Sequence, residues 1–224
     1  EGRGPEGDVD LTASDKRLMW CWPQVKVSAS EIGSYAARLA GVIAATDAEL
    51  GYWRSPSNRP ILGIVGLELP VQAAVNDPTS ETNTVNAAGV TTIFSGYGIS
   101  PRVWGNRSAA FPGENGIDTF LSCLRTIDMV EESLELASLR YLDGPIGEVL
   151  ITAVLDDVSA FMRSLISRGA LMPGSRIEYF EEDNPPEQLA EDHITFTYTF
   201  APPPPAERIT YKAVVDTTLL SFGG

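Results

Sequence analysis

The chain has 224 residues, 43% of them apolar and 21% charged, a balance that suits one large core or two small ones rather than a disordered chain. A formal charge of −14 excludes a general electrostatic grip on nucleic acid or on an anionic membrane surface, because both depend on clustered Lys and Arg. No apolar run approaches the ~20 residues that cross a bilayer. Cys21 and Cys123 lie far apart without CxxC neighbours and support neither a disulfide framework nor a zinc site.

Residues 1–17 are polar and Gly-rich and read as a flexible segment without a signal-peptide pattern; the absence of an initial Met suggests a fragment or a processed product. Leu18 to Val27 is a short apolar run expected as one strand, interrupted at Pro23. Ser28 and Glu31 have capping-box spacing ahead of a helix whose buried face is Ile32, Tyr35, Ala36, Leu39, Ala40 and Ile43. Small residues on that helix (Ala36, Ala37, Ala40, Gly41, Ala44, Ala45) would allow close approach to a sheet, and Gly51 is its natural stop. Tyr52 to Asn58 then reads as a corner, open to interpretation as an active-site loop or a structural turn.

Ile61 to Leu69 is expected as a strand, Asp77-Pro78 as the opening of a short helix or turn, and Asn86 to Gly89 as a turn. Val90–Phe94 and Arg102–Trp104 follow as strands joined by a loop of Gly96, Gly98 and Pro101, in a context that does not fit a dinucleotide fingerprint. After a polar loop at 108–118, Phe120 to Thr126 reads as a strand and Ile127 to Tyr141 as a helix. Ile146 to Ile166 keeps helical period up to Gly169. Beyond Pro173-Gly174 the period falls to two: Ile177 and Tyr179, then Ile194 to Phe200, then Ile209 to Val215 alternate as three strands of an antiparallel sheet backed by the long helix.

Chemistry is thinly represented. His193 beside Asp192 is the only histidine available as a general base, and no GxSxG elbow accompanies it. An α/β hydrolase using His193 and nearby carboxylates is therefore the alternative reading, with an exposed histidine as the plain one. The acidic run from Glu181 to Asp192 matches no EF-hand and reads as a solvated face. No cofactor or metal site is expected.

Several stretches carry a family resemblance: Thr46 to Asn58, Asn86 to Val90, Arg102 to Arg107, Arg125, Glu132-Ser133, Phe161 to Leu165 with Gly169-Ala170-Leu171, and Ala201-Pro202 with Pro205-Ala206-Glu207. In this order they resemble the contractile tail sheath proteins of myophages and R-type tailocins, collinearly over about residues 18–220. The resemblance implies a structural, non-enzymatic subunit of the virion tail, made in a bacterial host cytoplasm. Such subunits polymerise as hexameric rings into a helical lattice around the tail tube and contract to drive the tube through an envelope. The implied partners are other sheath subunits, the tube protein, the baseplate and the tail terminator, with no nucleic acid or membrane.

The resemblance further implies a C-terminal portion of the family's chain, because the family carries an N-terminal arm and the first half of its core ahead of the strand at Leu18. The architecture it suggests is α/β plus α+β. A partial α/β sandwich core at 18–126 would be followed, at 127–224, by a small C-terminal module of two helices packed on an antiparallel sheet. Gly51, Trp53, Pro56, Asn58, Gly89, Trp104, Gly105, Arg107 and Arg125 are the structural motif residues. Arg140, Arg163 and Arg168 are candidate tube contacts. Tyr211, Val214, Val215, Thr217 and Leu219 are candidates for a subunit-joining arm.

Overall fold

The computed structural model describes residues 15–96 and 98–217. Pro23, which has no N–H to give a ladder, divides the first apolar run. Strand β1 (Trp20–Cys21) and strand β2 (Val25–Lys26) lie on either side of a cis Trp22–Pro23 bond and belong to different sheets, so the single strand expected over Leu18–Val27 is two. The expected capping box is instead a hairpin turn. Val27 N–H donates to the Glu31 carbonyl at 2.9 Å, and β3 (Ile32–Gly33) returns antiparallel to β2. The helix therefore starts later, as α1 (Tyr35–Leu50), capped by the Ser34 hydroxyl, which accepts from Ala37 N–H at 3.3 Å.

Helix α1 buries Tyr35, Leu39 and Thr46 and packs Val42 and Ile43 against the same cluster. Ala36, Ala37, Ala40, Gly41, Ala44 and Ala45, expected to face a sheet, are exposed in this chain. Tyr35 reaches the neighbouring sheet by donating its hydroxyl to the Thr92 carbonyl at 2.8 Å, and burial holds that phenol well above its ordinary pKa. The expected strand over Ile61–Leu69 is reduced to β4 (Gly66–Leu67), paired with β2. Gly63, at φ +70, breaks the extended run, and Leu62 and Val65 are 77% and 68% exposed.

After α2 (Glu81–Ala87) comes β5 (Val90–Gly96), the centre of a sheet ordered β1-β5-β6. Strand β1 pairs parallel to it and β6 (Ile99–Trp104) antiparallel, with Ile93 opposite Val103. Pro101, expected in the loop, falls inside β6 next to the register shift between the Phe94 and Gly96 pairs, a place where a missing N–H is tolerated.

The strand expected at Phe120–Thr126 is helical: α3 runs from Leu121 to Ser138. Its inner face begins with Ser122, Cys123 and Thr126, which read as strand residues. Thr126 satisfies its hydroxyl on the Ser122 carbonyl at 2.7 Å, one turn back, so the polar side chain is buried without leaving the helix. Helix α4 (Glu148–Ser167) follows as expected, burying Val158, Met162 and Leu165, and Gly169 ends it at φ +75.

Strands β7 (Arg176–Glu178) and β8 (Thr197–Thr199) pair antiparallel, with Ile177 opposite Tyr198. The short helix α5 (Pro186–Ala190) lies in the acidic excursion between them. The third strand expected at Ile209–Val215 has no ladder among the described residues, where the sheet has two strands. Ile209, Tyr211, Val214 and Val215 are instead 67–89% exposed on a segment without regular secondary structure. The fold is thus a mixture of five α-helices and small sheets among the described residues. One core cluster forms around Val25, Tyr35, Leu39, Ile61, Ile93 and Val103. A second forms from Val130 of α3, Leu165 of α4, and Ala170 and Leu171, with Trp53 and Phe200 packed against it.

Candidate functional site

The corner after α1 is stitched to both clusters. Gly51 sits at φ +99, and a Cβ there would meet the Trp53 ring at 2.4 Å, so the indole lies directly on the helix stop. Trp53 continues into the second cluster, takes the edge of Tyr52 at 5.0 Å between centroids, and is covered by the Arg168 guanidinium at 4.7 Å. Pro56 is buried and Asn58 takes a left-handed φ of 65°. From there the chain runs beside β6. Asn58 N–H donates to the Val103 carbonyl at 2.7 Å, Val103 N–H to Arg59 O at 2.9 Å, and Ile61 N–H to Pro101 O at 2.9 Å. Ser57 Oγ accepts from Gly105 N–H at 3.1 Å. The corner is thus bonded along β6 by its backbone and packed into the second cluster through Trp53. Trp53→Ala should therefore cost ~3 kcal/mol through the emptied contact, measured as a lower midpoint in chemical denaturation. An unchanged midpoint would move the residue out of the core.

The remaining motif residues are each held by specific neighbours. Gly89 is buried at φ +81 against Phe111, and Gly105, at φ +123, lies against Asn86 and Thr91. With its amide oriented to suit its neighbours, Asn86 donates to the carbonyls of Val90 and Trp104 and accepts from Trp104 Nε1 at 3.1 Å. Asp47, near the end of α1, receives both guanidinium nitrogens of Arg125 on α3, one of them at 2.9 Å.

Arg107 is the most heavily engaged of these residues. Its guanidinium lies 3.6 Å from the Phe120 ring centroid and 4.5 Å from that of Phe111. Nη1 donates to Thr119 Oγ1 at 2.6 Å, while Nε and Nη2 fork onto the two Glu207 oxygens at 3.1 and 2.9 Å. Only 14% of the Arg107 side chain is exposed. Nearby, the Cys123 thiol donates to the Pro203 carbonyl at 3.6 Å, and burial raises its pKa. Pro203 to Ala206 pass over a 380 Å³ groove whose other walls include Leu50, Trp53, Ser122 and Gly169. Trp53, in the wall of that groove, and Arg107, through Glu207, thus both meet the C-terminal segment.

Other candidate residues lie elsewhere. Arg140 pairs with Asp157 of α4 and sits 4.9 Å from the Tyr141 ring centroid. Arg163 is exposed on α4, and Arg168 is spent on Trp53. Tyr211, Val214, Val215 and Thr217 are exposed on the segment after β8, and Leu219 lies outside the described residues. His193 is exposed, with its N–H donated to Gln188 O at 3.2 Å, and no cluster of three metal-ligating side chains occurs among the described residues. Sequence reasoning named Arg107, Arg125 and Gly89, and held Asp47 and Glu207 within the same family stretches without pairing them; Phe111 it did not name. An alternation of charge between Arg107 and Glu207 is no signal at a separation of 100 residues.

The family of the phage tail sheath C-terminal domain matches residues 119–216, which include α3, α4, the β7–β8 pair and the segment after β8. Those residues belong to the tail sheath family. Similarity to sheath proteins extends beyond them: 98% of the chain aligns at 38% identity with the tail sheath protein of Burkholderia phage BcepMu, covering 47% of that relative. The tail sheath protein of Escherichia phage P2 is 28% identical over 89% of the chain and 50% of its own length. The chain therefore spans about half the length of the curated relatives it matches. Its fold is that of a sheath: the sheath complex of PVC, an extracellular contractile injection system in its contracted state, superposes with a TM-score of 0.79. That match covers 96% of this chain and 63% of the other at 19% identity.

Proposed function

We propose that this chain is the C-terminal-domain half of a structural subunit of a contractile tail sheath, polymerising around a tail tube and shortening to drive it through an envelope. The observation that carries the reading, beside the family match, is the exposed, apolar-rich segment from Arg208 to Thr217, which joins no strand ladder among the described residues. In a lone molecule such a segment leaves apolar surface in water. As an arm added to the small sheet of another copy, it would bury that surface and gain backbone ladder bonds. A joint of this kind survives a large rigid-body rotation, because its ladder persists while side-chain contacts repack.

Within this reading, α3 and α4 packed on the β7–β8 sheet form the C-terminal module. Its start belongs at the head of α3, Leu121, rather than at 127 inside that helix. The remainder of the α/β core precedes it. The partners are other sheath subunits, the tube protein, the baseplate and the tail terminator, all within the virion tail. Of the three arginines proposed to face the tube, Arg163 is the best placed, since Arg140 and Arg168 are engaged within the chain. Arg163→Glu should weaken tube attachment without preventing sheath formation, read by co-sedimentation of tube with sheath.

The deciding experiment is a chimera in which this chain replaces the matching half of the BcepMu tail sheath protein. Electron microscopy should find tubular polymers. A folded chimera that stays dispersed under conditions where the unaltered relative polymerises would overturn the proposal.

A further inference from the structure

We propose that Arg107 and Glu207 form the fixed root of the C-terminal arm, so that the chain up to Glu207 is part of the rigid body and the arm pivots from Arg208. The inference rests on the reading of 208–217 as an arm that joins a second copy. Everything from Phe200 to Glu207 is held. Met172 N–H donates to Ala201 O at 2.8 Å, Pro202 is buried, the Cys123 thiol reaches Pro203 O, and Pro203 to Ala206 line the groove beside Trp53. Four consecutive prolines, Pro202 to Pro205, keep this stretch extended and stiff, so a fastening at its far end fixes direction as well as position.

That fastening is the Glu207 fork. Arg107 cannot follow the arm if it is pulled, because its guanidinium is lodged between Phe111 and Phe120 and tied to Thr119. A planar fork between two rings also sets an angle, which a lysine could not do. Immediately beyond, Arg208 to Val215 are exposed and outside both core clusters. The boundary is therefore drawn by the Glu207 fork and not by exposure, since Pro204, Ala206 and Glu207 are themselves exposed. It is set by side chains from the loop after β6 rather than by the helices of the sheath domain. Arg107 is a positioning residue: it fixes where the arm departs and in which direction, and the arm's own side chains make the joint.

The test is backbone dynamics of the 224-residue chain by 15N relaxation. Ala206 and Glu207 should have order parameters of a rigid backbone, about 0.85, and Thr210 to Val215 values below about 0.6. In Glu207→Ala, Ala206 should fall toward the arm values while the thermal midpoint moves by less than about 2 °C, since the pair is half-exposed on the glutamate side. Arg107→Lys should give the same loosening, because the charge remains but the fork is lost. Equal mobility of Ala206 and Thr210 in the unaltered chain, or an unmoved Ala206 in both variants, would overturn the root. In the BcepMu chimera, Glu207→Ala should lower polymer yield several-fold. If the parent chimera forms no polymers, the sheath reading fails, and the relaxation data still decide the root by themselves.

Discussion

Gly89→Ala should leave little folded protein, the largest effect expected of any single methyl added to this chain. Two costs act at the same atom. At φ +81 an alanine occupies the left-handed region, at a cost of ~1–2 kcal/mol. Its Cβ would also stand 2.1 Å from the Phe111 carbonyl oxygen and 3.1 Å from the carbonyl carbon, a contact with backbone that no rotamer change relieves. Phe111 belongs to the loop that holds one ring against Arg107, so the displacement would spread to the root of the arm. A loss on the order of 3–5 kcal/mol follows, a large fraction of the ~5–15 kcal/mol that holds a typical domain folded.

Gly41→Ala supplies the control: it lies in the middle of α1 with open space around its Cβ position, and should gain ~0.5–1 kcal/mol. Denaturant midpoints of the two variants would move in opposite directions. Equal midpoints would show that neither the left-handed φ nor the Phe111 contact constrains residue 89.

The parts of the fold legible in the sequence are those where one physical signal dominates. Helix α4 carries an apolar stripe through Val158, Met162 and Leu165 and a glycine stop at Gly169, and both act where the period places them. Helix α3 hid its first turn because the residues facing inward there, Ser122, Cys123 and Thr126, are small and polar; they are satisfied by Asn106, by the Pro203 carbonyl and by the preceding turn respectively, bonds that no hydropathy pattern records. The run Ile61 to Leu69 misled in the other direction. Its apolar residues suggest a strand, yet Gly63 turns the chain and Leu62 and Val65 end up exposed.

The site followed the same division. Trp53, Gly89, Gly105, Arg107 and Arg125 stood out as stretches of motif, but their contacts join residues far apart in the chain. Only folding reveals that Asp47 meets Arg125 or that Glu207 meets Arg107. The alternation from Ile209 to Val215 is a strand pattern in the sequence, and the chain offers no ladder to receive it among the described residues.

That unreceived pattern gives the second large prediction. Deleting residues 209–224 from the BcepMu chimera should abolish polymer formation while leaving the monomer's thermal midpoint within about 2 °C of its parent. Ile209, Tyr211, Val214 and Val215 lie outside both core clusters and are already in water, so the two cores lose no apolar contact when they go. The lattice would lose a ladder at each joint. Point variants sharpen the test, because a strand presents alternate residues to opposite faces. Tyr211, Ala213 and Val215 share one face, and Lys212, Val214 and Asp216 the other.

If the arm adds to a sheet with one buried side, charged substitutions at Tyr211 and Val215 should suppress polymers far more than the same changes at Lys212 and Asp216. Val214→Lys tests which side is covered, and a proline at Lys212 removes one ladder N–H without altering charge on the apolar face. Polymers of normal yield from the truncated chimera would eliminate the arm. Equal sensitivity at odd and even positions would keep an interface but exclude a strand with one covered face, since a segment gripped on both sides has no parity.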